Sequence, residues 1–463
     1  MNTDALRRLD RQEDGRAAAP VRIVHLGAGN FFRAHEAWYT EHAPDADGWG
    51  IAAFTGRSAT VADQLAPQEG LYQLAVQAPD GDRVEVISSI TAAHPAGDLV
   101  AWREYLASPQ VVLVTSTVTE AGYLRGDDGG LDLGDENVIA DRDALRDDPA
   151  TGTVTTAPGR FVAGLLARRE ANGDDAPLTF VPCDNVPDNG EMVRRVVTDL
   201  AREVDPSLLE WIERNVTVAT TMVDRITPRT TDEDRARVAE ATGIDDPALV
   251  VTEPFAEWVL AGDFVARPAW EDAGARIVDD VRPLERRKLW MLNGSHSLMA
   301  YAATILGHET VSDAIGDETV RGWVEQWWDV AARHLDLPEQ EIADYRAALI
   351  ERYENPRIRH LLSQIAGDGS QKLPIRIVPA LKADRAAGEL PTGACRAIAA
   401  WICHLRGLGA PVADTQADEL TGLVSGELPD AVDAVLGRLG LDGDDEVRAE
   451  VLRLAEELQE LAR

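Results

Sequence analysis

Lysine is almost missing from this chain of 463 residues: among 45 basic residues only Lys288, Lys372 and Lys382 are lysine, and the rest are arginine. Either residue serves as a surface charge, but a group that must release its proton near neutral pH cannot be arginine, whose pKa exceeds about 12. The three survivors are therefore candidates for chemistry. Cysteine is equally scarce, with Cys183, Cys395 and Cys403 alone and no paired spacing, which excludes a disulfide framework and a thiolate zinc site and points to a reducing compartment. Long apolar runs are also absent: nowhere do about 18 uncharged apolar residues follow one another, and the opening MNTDALRRLDRQEDGRAAAP has no signal-peptide core. A cytoplasmic protein without a membrane partner is expected. Positive charge is in deficit, with a net charge of −35, so nucleic acid is not an expected partner either. The acidic excess reads as a solvated surface.

What is present is the composition of a folded globular protein, 45% hydrophobic and 27% charged. The length exceeds what one core ordinarily supports, and two domains are expected, 1–280 and 281–463. In the first, the buried-strand run Val21 to Leu26 leads into Gly27-Ala28-Gly29 and a helical stretch from Asn30 to His42. Further apolar runs at 50–55, 111–115 and 178–181 alternate with helical segments, which implies α/β structure with a parallel sheet. From about 281 onward the periodicity is helical, over 285–304, 317–334 and 339–353, with no convincing strand. The acidic, glycine-containing stretches 124–149 and 441–446 read as loops.

Gly27 and Gly29 stand where a chain leaving its first strand turns tightly and approaches a pyrophosphate. Asn30 and Phe31 follow in the same turn. The third glycine of a dinucleotide fingerprint is replaced by Phe32. After the second strand the sequence Thr55-Gly56-Arg57-Ser58 has no carboxylate for a ribose. Arg57 is a candidate for the 2′-phosphate of NADP or for stacking on adenine, or is a plain loop arginine. Thr117, Thr119 and Glu120, in TSTVTEAGY, either line the ligand crevice at a strand's carboxyl end or form a turn with satisfied hydroxyls.

The segment KLWMLNGSHSLMAY carries Lys288, Asn293 and His296 on one expected α-helix, Asn293 about 140° and His296 about 80° round from Lys288, all able to border one cleft. Oxidising an unactivated alcohol requires a base for the hydroxyl proton while hydride leaves carbon, and a desolvated lysine suits that role. Side-chain amides stabilise a developing alkoxide without titrating, which makes Asn293 and, in CDNVPDNG, Asn185 candidates. For Asn185 an Asx turn before Pro187 is the competing reading.

Taken in order, IVHLGAGNFFRAH, TVTEAGY, CDNVPDNG, MVDRITP, TEPFAEW and KLWMLNGSHS resemble the polyol-specific long-chain dehydrogenases, the family of mannitol dehydrogenase and fructuronate reductase. The resemblance spans roughly residues 20 to 400. It implies a Rossmann-type α/β domain followed by an all-α domain, a cleft between them as active site, and no metal. It further implies that Lys288 is the general base, that Asn185 and Asn293 form an oxyanion hole, that His296 orients substrate and that Asp224 lies near it. DGSQKLPIR is more like the fructuronate reductase branch, and makes Lys372 and Arg376 candidates for a substrate hydroxyl or carboxylate; Arg376 as an ordinary charge is the alternative. The expected protein is thus an NAD(P)-dependent oxidoreductase, NAD favoured, monomeric or a small homo-oligomer. Its substrate is expected to be a sugar acid of the mannonate type, with mannitol or another polyol as the alternative. A nucleotide-binding sensor without turnover and a zinc alcohol dehydrogenase are the competing classes.

Overall fold

The computed structural model describes residues 6–126 and 128–462, and the chain divides into two compact units, 1–281 and 282–463. The first contains the strands β1 (Val21–Leu26), β2 (Gly50–Phe54), β3 (Tyr72–Ala78), β4 (Gly81–Ile87), β5 (Ile90–His94), β6 (Leu113–Ser116) and β7 (Leu178–Pro182). It continues with β8 (Val216–Val218), β9 (Thr220–Asp224), β10 (Val250–Thr252), β11 (Glu257–Ala261) and β12 (Arg276–Ile277). Six of them form a sheet in the order β5-β2-β1-β6-β7-β8, every neighbouring pair parallel. The order reverses at β1, whose neighbours are β2 on one side and β6 on the other. In such sheets ligands enter at the carboxyl ends of the strands beside this reversal.

A sheet covered on both faces must bury successive residues alternately on opposite sides. Val24, Leu26, Ala52, Phe54 and Val114 join the core with Trp102, Leu106, Phe161 and Val196 from helices Leu99–Ala107, Ala157–Asn172 and Asn189–Val204. Ile23, Ile51, Ala53, Leu113 and Val181 face the other way, into a core with Tyr39, Tyr72, Trp258 and Trp270. That second core is roofed by two small sheets, β10-β3-β4 and β12-β11-β9.

The second unit is helical, and no strand occurs in it among the described residues. At its centre the helix Thr392–Leu405 is buried from Gly393 to Leu405 and packs on Gly294–Ile305, Glu318–Ala332 and Asp445–Leu461. The expected order of an α/β domain and an all-α domain is what the chain adopts.

Three local expectations are corrected. The stretch Asn30 to His42 is two helices, Asn30–Ala34 and Glu36–His42, broken at His35 (φ −120°, ψ −90°). The acidic stretch 124–149 contains the helix Glu136–Asp147, capped by the Asp135 side chain on the amides of Asn137 and Val138 and anchored by Val138 and Leu145. The long helix expected over 285–304 is interrupted at Lys288–Asn293 by a π-turn. No described helix is long and apolar enough to cross a membrane.

Candidate active site

In the first unit the candidate site forms around the turn after β1. Gly27 has φ +115°, and a Cβ there would stand 2.5 Å from the carbonyl oxygen of Thr117, so only glycine fits. The amides of Gly27 and Ala28 donate to the Phe54 carbonyl, which ties the turn to the end of β2. Gly29 differs: a Cβ would meet only the Gly27 carbonyl oxygen, at 3.7 Å, so packing inside the protein does not demand glycine. A ligand drawn close to the backbone at that point would demand it. This is the fit expected for a dinucleotide pyrophosphate.

The neighbouring candidates have definite partners. The side-chain amide oxygen of Asn30 accepts from Arg33 at 2.6 Å, and the Phe31 ring stacks on His35. Phe32, in place of the third glycine, is fully buried and lies flat on His25, ring centroids 3.5 Å apart. The short helix therefore meets the strand through stacked rings instead of through a glycine contact. Thr117 donates to the Gly27 carbonyl at 2.7 Å, so its hydroxyl holds the turn. Thr119 and Glu120 are exposed, Glu120 lying 3.6 Å from Arg125. Arg57 is exposed beyond the end of β2.

Asn185 is exposed just past the carboxyl end of β7. Before it, the buried carboxyl of Asp184 accepts from Tyr123, from Ser116 at 3.1 Å and from the Val118 amide at 2.5 Å. Burial raises this carboxyl to about 7 against the pull of those donors. Asn189 completes the support, its amide donating to the Asp184 and Thr221 carbonyls at 3.0 and 2.9 Å. Asp184, Tyr123 and Asn189 were not singled out by sequence reasoning. The adjacency of Asp184 to Asn185 was the available signal. Asp224 is buried at the end of β9.

In the second unit Lys288, Asn293 and His296 share the segment that opens the helical domain. A straight α-helix was expected there, but the Gly294 amide donates to the Leu289 carbonyl five residues back. Such π-turns rotate a segment relative to the α-helices flanking it, so the angular positions computed for an α-helix do not hold. The carbonyls of Trp290 and Met291 take indole N–H donors from Trp327 and Trp328, at 2.8 and 2.9 Å. The expected apolar anchor consists of Leu292, Leu298 and Met299, all buried, with Leu289 only half-buried.

Lys288 is buried, 9% exposed, and His296 is buried with Nε2 lacking a protein hydrogen-bond partner. Burial, with the neighbouring His360 and the cations Arg352, Arg376 and Lys288 adding to it, holds His296 well below its ordinary pKa, so it is neutral. His360 meets it edge-on, centroids 5.0 Å apart, and is pushed by burial to about 4.

Arg376 reaches the same helix, with one guanidinium nitrogen 3.3 Å from the Asn293 carbonyl and 3.2 Å from the Ser297 hydroxyl, while its Nε has no partner. Burial lowers it to about 10, so it remains a cation at neutral pH. Lys372 is placed otherwise: its ammonium donates to the carbonyls of Ile365 and Gly367 at 3.0 and 2.5 Å. It ties the loop before its own helix through two of its three donors. Among the described residues no three His, Cys, Asp or Glu side chains gather where they could hold a metal ion.

The model of the mannitol dehydrogenase Rossmann domain matches residues 21–272, and that of the mannitol dehydrogenase C-terminal domain matches 280–437. D-mannonate oxidoreductase of Escherichia coli strain K12 is 37% identical over 442 residues, covering 92% of this chain and 89% of its own. Mannitol 2-dehydrogenase of Cereibacter sphaeroides is 32% identical over 410 residues, 87% of this chain and 84% of its own. The solved ternary complex of Pseudomonas fluorescens mannitol 2-dehydrogenase with NAD and D-mannitol has 32% identity and a TM-score of 0.81, covering 96% of this chain and 92% of that one. With both domain models matched in sequence order and relatives aligned along nearly the whole length, the chain belongs to the mannitol dehydrogenase family of oxidoreductases.

Proposed function

We propose that the chain is a metal-independent, NAD(P)-dependent oxidoreductase that interconverts a secondary alcohol and a ketone on a linear sugar acid of the D-mannonate and D-fructuronate type. The observation that carries the choice of a sugar acid is Arg376, a cation at the end of helix Gly369–Arg376 that reaches the Asn293 carbonyl and whose Nε has no partner. A carboxylate supplies the acceptor that such a guanidinium lacks, and pairs with it at short range. The similarity to D-mannonate oxidoreductase supports the same reading.

The nicotinamide nucleotide supplies the hydride acceptor in oxidation and the donor in reduction. Gly27, Gly29, Asn30 and Phe31 form the turn for its pyrophosphate, with Thr117, Thr119 and Glu120 on the neighbouring loop. NAD is favoured, the nucleotide held in the solved complex of the similar mannitol 2-dehydrogenase. Arg57, with no acid beside it at the end of β2, would also serve the 2′-phosphate of NADP.

Lys288 takes the proton of the reacting hydroxyl. Asn185 and Asn293 donate to the oxygen as it gains charge, stabilising the alkoxide more than the alcohol. His296, neutral, offers Nε2 to a substrate hydroxyl, and Asp224 holds another. Arg376 orients the carboxylate end.

The test is a spectrophotometric screen of D-mannonate, D-fructuronate, D-mannitol, D-arabinitol and D-sorbitol with both nucleotides in each redox state. Mannonate and fructuronate are expected to show the highest kcat/KM, with NAD and NADH preferred. A larger kcat/KM on an uncharged polyol would reject the sugar acid. Nucleotide binding without turnover of any of them would make the chain a sensor.

A further inference from the structure

The glycine turn rests on a buried pair that the motif does not announce. His25 on β1 and Glu36 at the start of the second short helix have fully buried side chains, with His25 Nδ1 3.0 Å from Glu36 Oε2. Thr115 on β6 donates to Glu36 Oε1 at 2.8 Å, and its oxygen lies 2.8 Å from His25 Nδ1. A hydroxyl has one proton. Since that of Thr115 goes to the carboxylate, the contact with Nδ1 requires a proton on the ring nitrogen. On the opposite edge Nε2 lies 3.1 Å from Thr117 Oγ1, whose proton goes to the Gly27 carbonyl.

His25 thus links Glu36 and Thr115 at one ring nitrogen to Thr117 at the other. The Phe32 ring covers its face. The other titratable group at the pair is Cys183, whose Sγ is 4.0 Å from Glu36 Oε2 and whose thiol burial keeps protonated, with Glu36 and Asp184 adding to the effect.

We propose that His25 and Glu36 are positioning residues for the nicotinamide nucleotide: the buried pair holds the Thr117 hydroxyl against the Gly27 carbonyl and so fixes the turn that presents Gly29. With Thr115 and Thr117 the pair joins β1, the second of the two short helices after it and the end of β6. This rests on the reading of the chain as a nicotinamide-nucleotide enzyme. His25 touches no reacting atom and acts through Thr117.

The experiment measures NADH and NADPH dissociation constants by fluorescence on the full-length protein and on His25→Gln, Thr117→Val, Thr117→Ser and the double variant His25→Gln/Thr117→Val. His25→Gln and Thr117→Val are each expected to weaken binding about tenfold, the size of one well-placed hydrogen bond. Thr117→Ser, which keeps the hydroxyl, stays within about threefold of the parent. The double variant binds no more weakly than the weaker single, because the two changes remove one interaction. In His25→Gln the loss falls on the cofactor KM more than on kcat.

Unchanged binding in Thr117→Val, or losses that multiply in the double variant, would overturn the proposal. Should His25→Gln not fold, the contrast between valine and serine at 117 decides it alone. A parent protein that binds neither nucleotide removes the cofactor reading itself, and this inference with it.

Discussion

The phenol of Tyr123 donates to the buried carboxyl of Asp184, one residue before Asn185. The short helical turn after β6 is thereby tied to the loop after β7, and the backbone at Asn185 is held by a group whose ionisation is costly. Burial raises Asp184 from 3.8 to about 7, so between these values the folded protein holds a proton that the unfolded chain has released. Stability through this group is greatest below about pH 4 and falls as pH rises toward 7, with a slope of about 1.4 kcal/mol per unit. The accumulated loss is on the order of 4 kcal/mol.

Asp184→Asn removes this titration. Denaturant unfolding of parent and variant between pH 4 and 8 is expected to show the parent's stability, relative to the variant, declining across that window. Parallel curves would mean that the carboxyl is already ionised at pH 4.

Lys288→Ala is expected to lower kcat by about two to four orders of magnitude, the usual contribution of a general base. Nucleotide affinity should change little. Lys288→Arg restores the charge but not the ability to lose a proton near neutrality, so it should be nearly as inactive as alanine. Arginine restoring turnover in steady-state assays would show that position 288 acts through charge alone.

Arg376→Ala is expected to raise KM for fructuronate about ten- to hundredfold, as for the loss of a charge-assisted hydrogen bond. KM for fructose should move far less, because fructose has no carboxylate. Steady-state kinetics with both ketones provide the comparison. Equal increases would assign Arg376 to the support of Asn293 and Ser297, which it also touches.

Local pattern made some of this legible and long-range partners hid the rest. The run Val21 to Leu26 followed by two glycines identifies β1 and its turn because both sheet faces are buried and Gly27 needs φ +115°. Lys288, Asn293 and His296 stand out through spacing and through the rarity of lysine. The helix Glu136–Asp147 was missed because its exposed face is acidic, while what fixes it lies elsewhere: Asp141 accepts from the amides of Thr155 and Thr156, at 2.9 and 2.8 Å. Strands β3 and β4 pair as a hairpin whose second strand has few buried positions, which leaves a weak alternation to read. His25 and Glu36 look like ordinary strand and helix residues until β6 brings Thr115 and Thr117 against them.

The π-turn at Lys288 was illegible for the same reason, and Gly294 offers its test. A Cβ on Gly294 would approach the Trp327 indole at 2.7 to 2.9 Å, and that indole donates to the Trp290 carbonyl within the π-turn. Gly294→Ala must displace the ring, so the Trp290 carbonyl loses its donor and the segment is driven toward α-helical bonding. Overpacking of this kind costs about 1 to 3 kcal/mol. The larger effect should be on kcat, because changing the bonding pattern rotates Lys288 relative to Asn293 and His296. Trp327→Phe removes the donor without adding volume and should shift kcat the same way with a smaller loss in thermal unfolding. If Gly294→Ala lowers stability but leaves kcat at the parent value, the π-turn is an accommodation of the tryptophans and does not set the direction of the amine.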